Sequence, residues 1–221
     1  MRICLFGHGP LCAAVVPVLT AHGHILFGPF ATPQPTEVLR ATQASVGLSL
    51  GYRHKLTPED WGCFPDGILN LHTGYLPWNR GAYPNVWPIL DGSPAGVTLH
   101  RVDAGWDTGP ILAQIRVDVE PVDTAKTLYD NLIVQGVALV VGQVYKADSF
   151  GWADGVPQLA GEGSFHRKKD LSLVSLGAVD GMSWPPIRDL LRAFSFSPFG
   201  FDYTENGKLI RATITLTEVT E

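Results

Sequence analysis

Cysteine is scarce in this chain. Cys4, Cys12 and Cys63 are odd in number and none stands in a CxxC pair, which argues against a disulfide framework and against a zinc ribbon. No apolar stretch approaches the length of a membrane span. The opening Met1-Arg2-Ile3-Cys4-Leu5-Phe6-Gly7 has one positive charge and too short an apolar run for a signal peptide. The expectation is a cytoplasmic protein with no membrane partner. Charge is thin as well: 17% of the residues are charged, and 16 Lys and Arg against 21 Asp and Glu leave a formal charge of -5. Without a long basic run there is no surface that would track phosphates, so no nucleic-acid partner is expected.

Apolar and turn-forming residues are plentiful. Hydrophobic residues make up 45% of the 221 positions and mean hydropathy is +0.11, enough for a buried core and far from the composition of a disordered chain. Glycine and proline number 24 and 17, well above the usual share, so much of the chain must be turns and shaped loops. Length favours one compact domain with a small appendage.

Residues 2–6 read as a strand. Gly7-His8-Gly9-Pro10 is a turn, and Leu11, Ala14, Val15, Val18 and Leu19 recur at helical spacing. Strands are expected again at Ile25–Phe27, Ala44–Leu50, Ile68–Leu71, Val97–His100 and Ile111–Val119. Helices are expected at Thr36–Ala41 and Asn85–Leu90, and over Thr124–Tyr145 with Thr124 as N-cap. Such alternation predicts a parallel α/β sheet whose polar residues sit at strand ends, where ligands bind. Beyond residue 150 the composition shifts to Gly, Trp, Pro and short charged clusters. We therefore divide the chain into a larger α/β domain, 1–150, and a small, partly β appendage, 151–221.

The turn at Gly7 begins like a dinucleotide fingerprint, but Cys12 stands where a third Gly or Ala belongs and Pro10 intrudes. A structural turn is the better reading. His22 and His24 flank Gly23, and without further ligands at usable spacing they read as exposed loop histidines; no metal is expected. More informative is Asn70-Leu71-His72-Thr73-Gly74-Tyr75-Leu76-Pro77-Trp78-Asn79-Arg80-Gly81. Alternate residues of a strand share a face, so Asn70 and His72 bring an amide and an imidazole to one place. In His100-Arg101-Val102-Asp103-Ala104-Gly105-Trp106-Asp107-Thr108-Gly109, two carboxylates lie in a loop that glycines make tight, and Asp107 is placed to lean on His72. By residue type alone, a partly buried histidine and turn-capping carboxylates remain an alternative.

These two stretches resemble the N10-formyltetrahydrofolate-dependent formyltransferases, the family of methionyl-tRNA, glycinamide ribonucleotide and sugar N-formyltransferases. Asn70, His72, Leu76-Pro77 and Gly81 match an Asn-x-His strand end running into a Leu-Pro-x-x-x-Gly loop. His100, Val102, Asp103, Gly105, Asp107 and Gly109 match the second loop. Gly74 departs from the serine that the family usually has there. The resemblance covers about 45–145 and implies a Rossmann-like, mostly parallel sheet flanked by helices.

It further implies transfer of a formyl group from N10-formyltetrahydrofolate to an amine, with Asn70, His72 and Asp107 catalytic. Amine attack creates a tetrahedral oxyanion that needs donors and an ammonium that needs a base, and His72 suits both tasks near neutral pH. Asp107 would hold the imidazole. By position the folate side falls on Gly51, Tyr52, Arg53, His54, Lys55 and Leu56, with Val102, Asp103, Ala104 and Gly105. The run Trp78 to Trp87 and the tail Arg192 to Lys208 look like the sugar branch. A nucleotide-linked, dTDP-type amino dideoxy sugar is therefore the expected acceptor, with Trp78, Tyr83 and Trp87 as ring faces and Asn79 and Arg80 as polar contacts; Trp87 reads equally as a core anchor. Gly163–Lys169 is a candidate diphosphate contact. Phe194, Phe196, Phe199 and Phe201 would suit a homodimer contact or internal packing. Alternatives are an amino-acid or peptide-carrier formyltransferase and a formyltetrahydrofolate hydrolase.

Overall fold

The structure, a computed structural model, describes residues 1–159, 161–172, 184–195, 201–205, 208–212 and 214–217. Its centre is a six-stranded sheet in the order β2-β1-β3-β4-β6-β7. The strands are β1 (Arg2–Gly7), β2 (Ile25–Phe30), β3 (Val46–Leu50), β4 (Ile68–His72), β6 (Ala95–Arg101) and β7 (Ile111–Val117). A short β5 (Arg80–Gly81) lies outside that sheet, and helix α4 (Trp87–Asp91) follows it. The first four strands of the sheet run parallel. β6 turns against β4, and β7 against β6, so the sheet is mostly parallel rather than wholly so.

Strand periodicity divides the core into two layers. In β1, Ile3 and Leu5 face a cluster shared with α1 (Pro10–Ala21) and α5 (Ala125–Phe150). Cys4 and Phe6 face a smaller cluster with Leu39 of α2 (Thr36–Ala41) and with Phe64 just beyond α3 (Pro58–Trp61). Helix α1 begins with Pro at its first position and α5 with a Thr124 cap that accepts the Thr127 N–H. At 26 residues α5 is long and apolar enough to span a membrane, which corrects the sequence expectation. Leu128, Leu132, Leu139, Val140 and Val144 are nevertheless buried on the sheet, because its apolar residues recur on one face.

His24 corrects a second expectation. It is buried, with Nδ1 3.1 Å from the α-amino group and Nε2 3.4 Å from an Asp148 oxygen; burial pushes its pKa down. Beyond Phe150 the chain returns to the sheet. Arg101 donates to the carbonyls of Ala153 and Asp154 at 2.7 and 3.0 Å, and Val156 bridges Ile111. Next, β8 (Phe165–His166) pairs with β5, ahead of α6 (Lys168–Ser172) and α7 (Trp184–Ala193). Finally β9 (Phe201–Glu205) and β10 (Lys208–Ala212) form an antiparallel pair. Phe194 packs against the larger cluster; Phe196, Phe199 and the Phe201 side chain lie outside the described residues.

The face of β4 and β6 opposite α5 is polar where most of the sheet is apolar. Thr98 and Gln114 on that face fasten the loop 73–79 over it. Thr98 Oγ1 accepts the Leu76 N–H and donates to the Gly74 carbonyl, while Gln114 donates to the Leu76 carbonyl.

Candidate active site

Asn70 and His72 lie two residues apart on β4 and therefore project to one face. The antiparallel register sets Asn70 opposite His100 and His72 opposite Thr98. Asp107 arrives from the loop after β6, with φ at +55°, and its carboxylate fills the gap between the two histidines. One oxygen, Oδ2, lies 3.5 Å from His72 Nδ1 and accepts the Gly81 N–H at 2.9 Å. The other, Oδ1, is 3.5 Å from His100 Nε2 and accepts from the Asn70 amide at 3.3 Å. Burial alone would raise the pKa of Asp107, but the positive charge of His72 when protonated, the hydrogen bond and charge that His100 supplies in that same state, and the Gly81 N–H outweigh it. The carboxyl is held well below the usual carboxylate range.

Hydrogen-bond partners fix the protons. A carbonyl only accepts, so His100 Nδ1, 2.8 Å from the Arg101 carbonyl, carries a hydrogen. His100 Nε2 then accepts from the Asn70 amide nitrogen at 3.1 Å. Both amide hydrogens of Asn70 are thus engaged, and the longer bond, to Asp107, is the one more easily exchanged for a substrate oxygen. His72 Nε2 donates to the buried Asn79 carbonyl at 2.8 Å, which leaves Nδ1 as the basic atom. A proton arriving at Nδ1 would stand beside the Asp107 carboxylate, with the ring steadied from its other side.

Two hollows meet at this cluster and share Tyr52, Asn70, Trp106 and Asp107 in their walls. One is a narrow slot of about 70 Å³, walled by Tyr52, His54, Lys55 and Leu56 on one side and Val102, Asp103 and Gly105 on the other. The second is a cleft of about 790 Å³ that also takes in His8, Arg53, Tyr83, Tyr129, Phe165 and Lys168. Gly51 and Arg53, which sequence resemblance assigns to the folate side, line this larger cleft; Ala104 lines neither hollow.

Of the five expected acceptor contacts, Tyr83 alone lines the cleft. Trp78 is 40% exposed away from both hollows. Asn79 is fully buried, its side-chain amide spent on Ser93 and Pro94. Arg80 is turned to Gln158 and the Glu162 carbonyl. Trp87 is buried, donates Nε1–H to the Ala82 carbonyl and stacks on His166 at 3.9 Å. These four belong to the frame of the loop, because each has a protein partner or a position off the cleft. Phe165 and Lys168, within the Gly163–Lys169 run expected to meet a diphosphate, line the cleft and come to it through the parallel pairing of β8 with β5. That pairing needs Gly81, at φ +88°, since a Cβ there would lie 2.3 Å from the His166 carbonyl.

A profile of the formyl transferase domain matches residues 30–144, more than half of the chain. The chain belongs to the formyl transferase family. Within that family it is 40% identical over 124 residues to the methionyl-tRNA formyltransferase of Chloroflexus aggregans, covering 55% of this chain and 40% of that one. It is 32% identical over 155 residues to the GDP-perosamine N-formyltransferase of Brucella melitensis biotype 1, covering 69% of this chain and 57% of the relative. Among solved structures, the formyltransferase PseJ from Anoxybacillus kamchatkensis superposes with a TM-score of 0.70 at 30% identity, over 85% of this chain and 97% of that one. PseJ was solved in complex with UDP-4,6-dideoxy-4-formamido-L-AltNAc and tetrahydrofolate. The chain spans about two fifths of the length of the methionyl-tRNA formyltransferases it matches.

Proposed function

We propose that this family member transfers the formyl group of N10-formyltetrahydrofolate to the amine of a nucleotide-linked amino sugar. The observation that carries the reading is the meeting of two unlike hollows at one Asn-His-Asp cluster. The slot, lined by the strand residues Ser49, Asn70 and His100 and by Tyr52 and Trp106, suits the edge and faces of a flat pterin. The larger cleft carries the cations Arg53 and Lys168 against one carboxylate, Asp107, in a chain of net charge -5. Cations gathered beside half-exposed Phe165 favour an acceptor that has phosphates and a ring over an uncharged one.

In this reading Asn70, His72 and Asp107 are the catalytic groups. Asn70 gives up its longer bond to Asp107 and donates to the formyl oxygen as negative charge builds there. His72 Nδ1 takes the proton that the attacking amine must lose, Asp107 Oδ2 pairs with the imidazolium, and as the tetrahedral centre collapses and the C–N10 bond breaks that proton passes to N10 of the leaving tetrahydrofolate. Residues 1–150 carry this chemistry, and the segment from 151 brings Phe165 and Lys168 to the acceptor. Three free thiols suit a cytoplasmic setting.

A dTDP-linked amino dideoxy sugar is the acceptor to try first. The test incubates the protein with N10-formyltetrahydrofolate and dTDP-, UDP- and GDP-linked amino sugars, amino acids and charged methionyl-tRNA, following products by mass spectrometry. Formylation of a nucleotide sugar is expected. Transfer to methionyl-tRNA or to an amino acid alone, or formate release with no acceptor, would overturn the acceptor assignment.

A further inference from the structure

Between the two loops of the site lies Gln158, a side chain outside both motifs. Its Nε2 donates to the main-chain carbonyls of Asp107 and Gly109, at 2.9 Å each. Its Oε1 accepts from Arg80 Nε at 3.1 Å and Nη2 at 2.8 Å, both prongs of the guanidinium. One amide thus uses two hydrogens toward the Asp107 loop and its oxygen toward the strand that presents the Gly81 N–H. Gln158 is itself anchored: Val156 exchanges two 2.8 Å backbone bonds with Ile111. Arg80 Nη1 reaches the Glu162 carbonyl further along the same segment.

Asp107 needs such a hold. Its φ of +55° is a left-handed conformation, which aspartate tolerates better than most residues yet still at a cost that neighbouring bonds offset. Its Oδ2 is bonded to Gly81, the residue next to Arg80. Cutting the tie at Gln158 therefore removes a hold shared by both ends of the Asp107–Gly81 bond, leaving the Gly81 end to the β5–β8 pairing.

We infer that Gln158 is a positioning residue, whose amide locks Arg80-Gly81 to Asp107–Gly109 and so keeps the Asp107 carboxylate on the Gly81 N–H and in front of His72. The side chain must be an amide, because one end has to donate twice to carbonyls while the other accepts from a guanidinium. Glutamate keeps the Arg80 end alone, and methionine keeps the length with neither end. The kinetic consequence rests on the transferase reading; the geometric one does not.

The test uses the full chain, as wild type, Gln158→Glu and Gln158→Met. The first readout is the titration of the Asp107 carboxyl by carbon NMR, which needs no turnover. Among its packed neighbours Asp107 faces His72 from β4 and His100 from β6, with Arg80 beyond Gln158. Both variants are expected to move its titration upward toward the ordinary carboxylate range. With the acceptor found above, kcat is expected to fall about 10- to 100-fold, with KM for either substrate changed by no more than about twofold. If Gln158→Met does not fold, Gln158→Glu, which keeps the Arg80 fork, carries both readouts. An Asp107 titration identical to wild type, or full kcat in the folded variants, overturns the inference. Absence of formyl transfer in the wild type would sink the transferase reading and leave the Asp107 titration to decide Gln158.

Discussion

Asn70 and His100 stand opposite each other across the antiparallel β4·β6 pair, with the amide nitrogen of one 3.1 Å from Nε2 of the other. Since His100 has committed its Nδ1 hydrogen to the Arg101 carbonyl, the amide has a single consistent orientation, nitrogen toward His100 and Asp107. A strand pair thereby does for Asn70 what Asn79 and Asp107 do for His72: it fixes which atom meets a substrate.

His72→Ala removes the proposed base and leaves the slot walls intact. Turnover is expected to fall by about 10²- to 10⁴-fold, while binding of a folate analogue, measured by calorimetry, stays within a few fold of wild type. A near-normal rate would take His72 out of the mechanism.

Asp107 gives a pH signature. Its folded-state pKa lies below that of the unfolded chain, so its contribution to stability is fully present above about pH 4 and is lost as pH falls toward the folded value. Asp107→Asn has no such titration. The stability gap between wild type and variant, from urea unfolding at several pH values, is expected to narrow steadily below about pH 4. Turnover of Asp107→Asn should fall at least about 10²-fold, the imidazolium having lost its anion. A gap that holds constant down to the acid transition would contradict the assigned direction.

Gly74 makes room for the His72 ring. A Cβ at this position would lie 2.6 Å from His72 Nε2 and 3.1 Å from the Pro84 Cβ. Gly74→Ser, the residue that the family resemblance leads one to expect, should therefore push His72 off the Asn79 carbonyl. We expect about a tenfold or greater loss of kcat with folate affinity kept; a crystal structure with the ring in place and full kcat would refute this.

Trp87 is a frame residue. With its ring stacked on His166 and its Nε1–H on the Ala82 carbonyl, Trp87→Ala should destabilise the fold by about 3–5 kcal/mol. KM for folate and acceptor should move together, as measured by calorimetric melting and steady-state kinetics. A rise confined to the acceptor KM would return Trp87 to the acceptor site.

The sequence by itself determined the strands and their faces: alternation in β1 and β4 needs no partner to be read, because a strand's side chains alternate whatever lies beside it. The Asn70-x-His72 spacing was legible for the same reason, as was the long apolar face of α5. Pairing direction was not. Whether β6 runs with or against β4 depends on how the 73–94 connection crosses the sheet, and that direction is what brings His100 to Asn70. Nor do residue types say which polar groups are free: Asn79 and Arg80 look like ligand contacts until folding gives them Ser93, Pro94 and Gln158 as partners. Gln158 stands 51 residues from Asp107, too far for any local pattern to connect them. Local chemistry decided which elements form, and long-range hydrogen bonding decided which of their side chains remain available to a substrate.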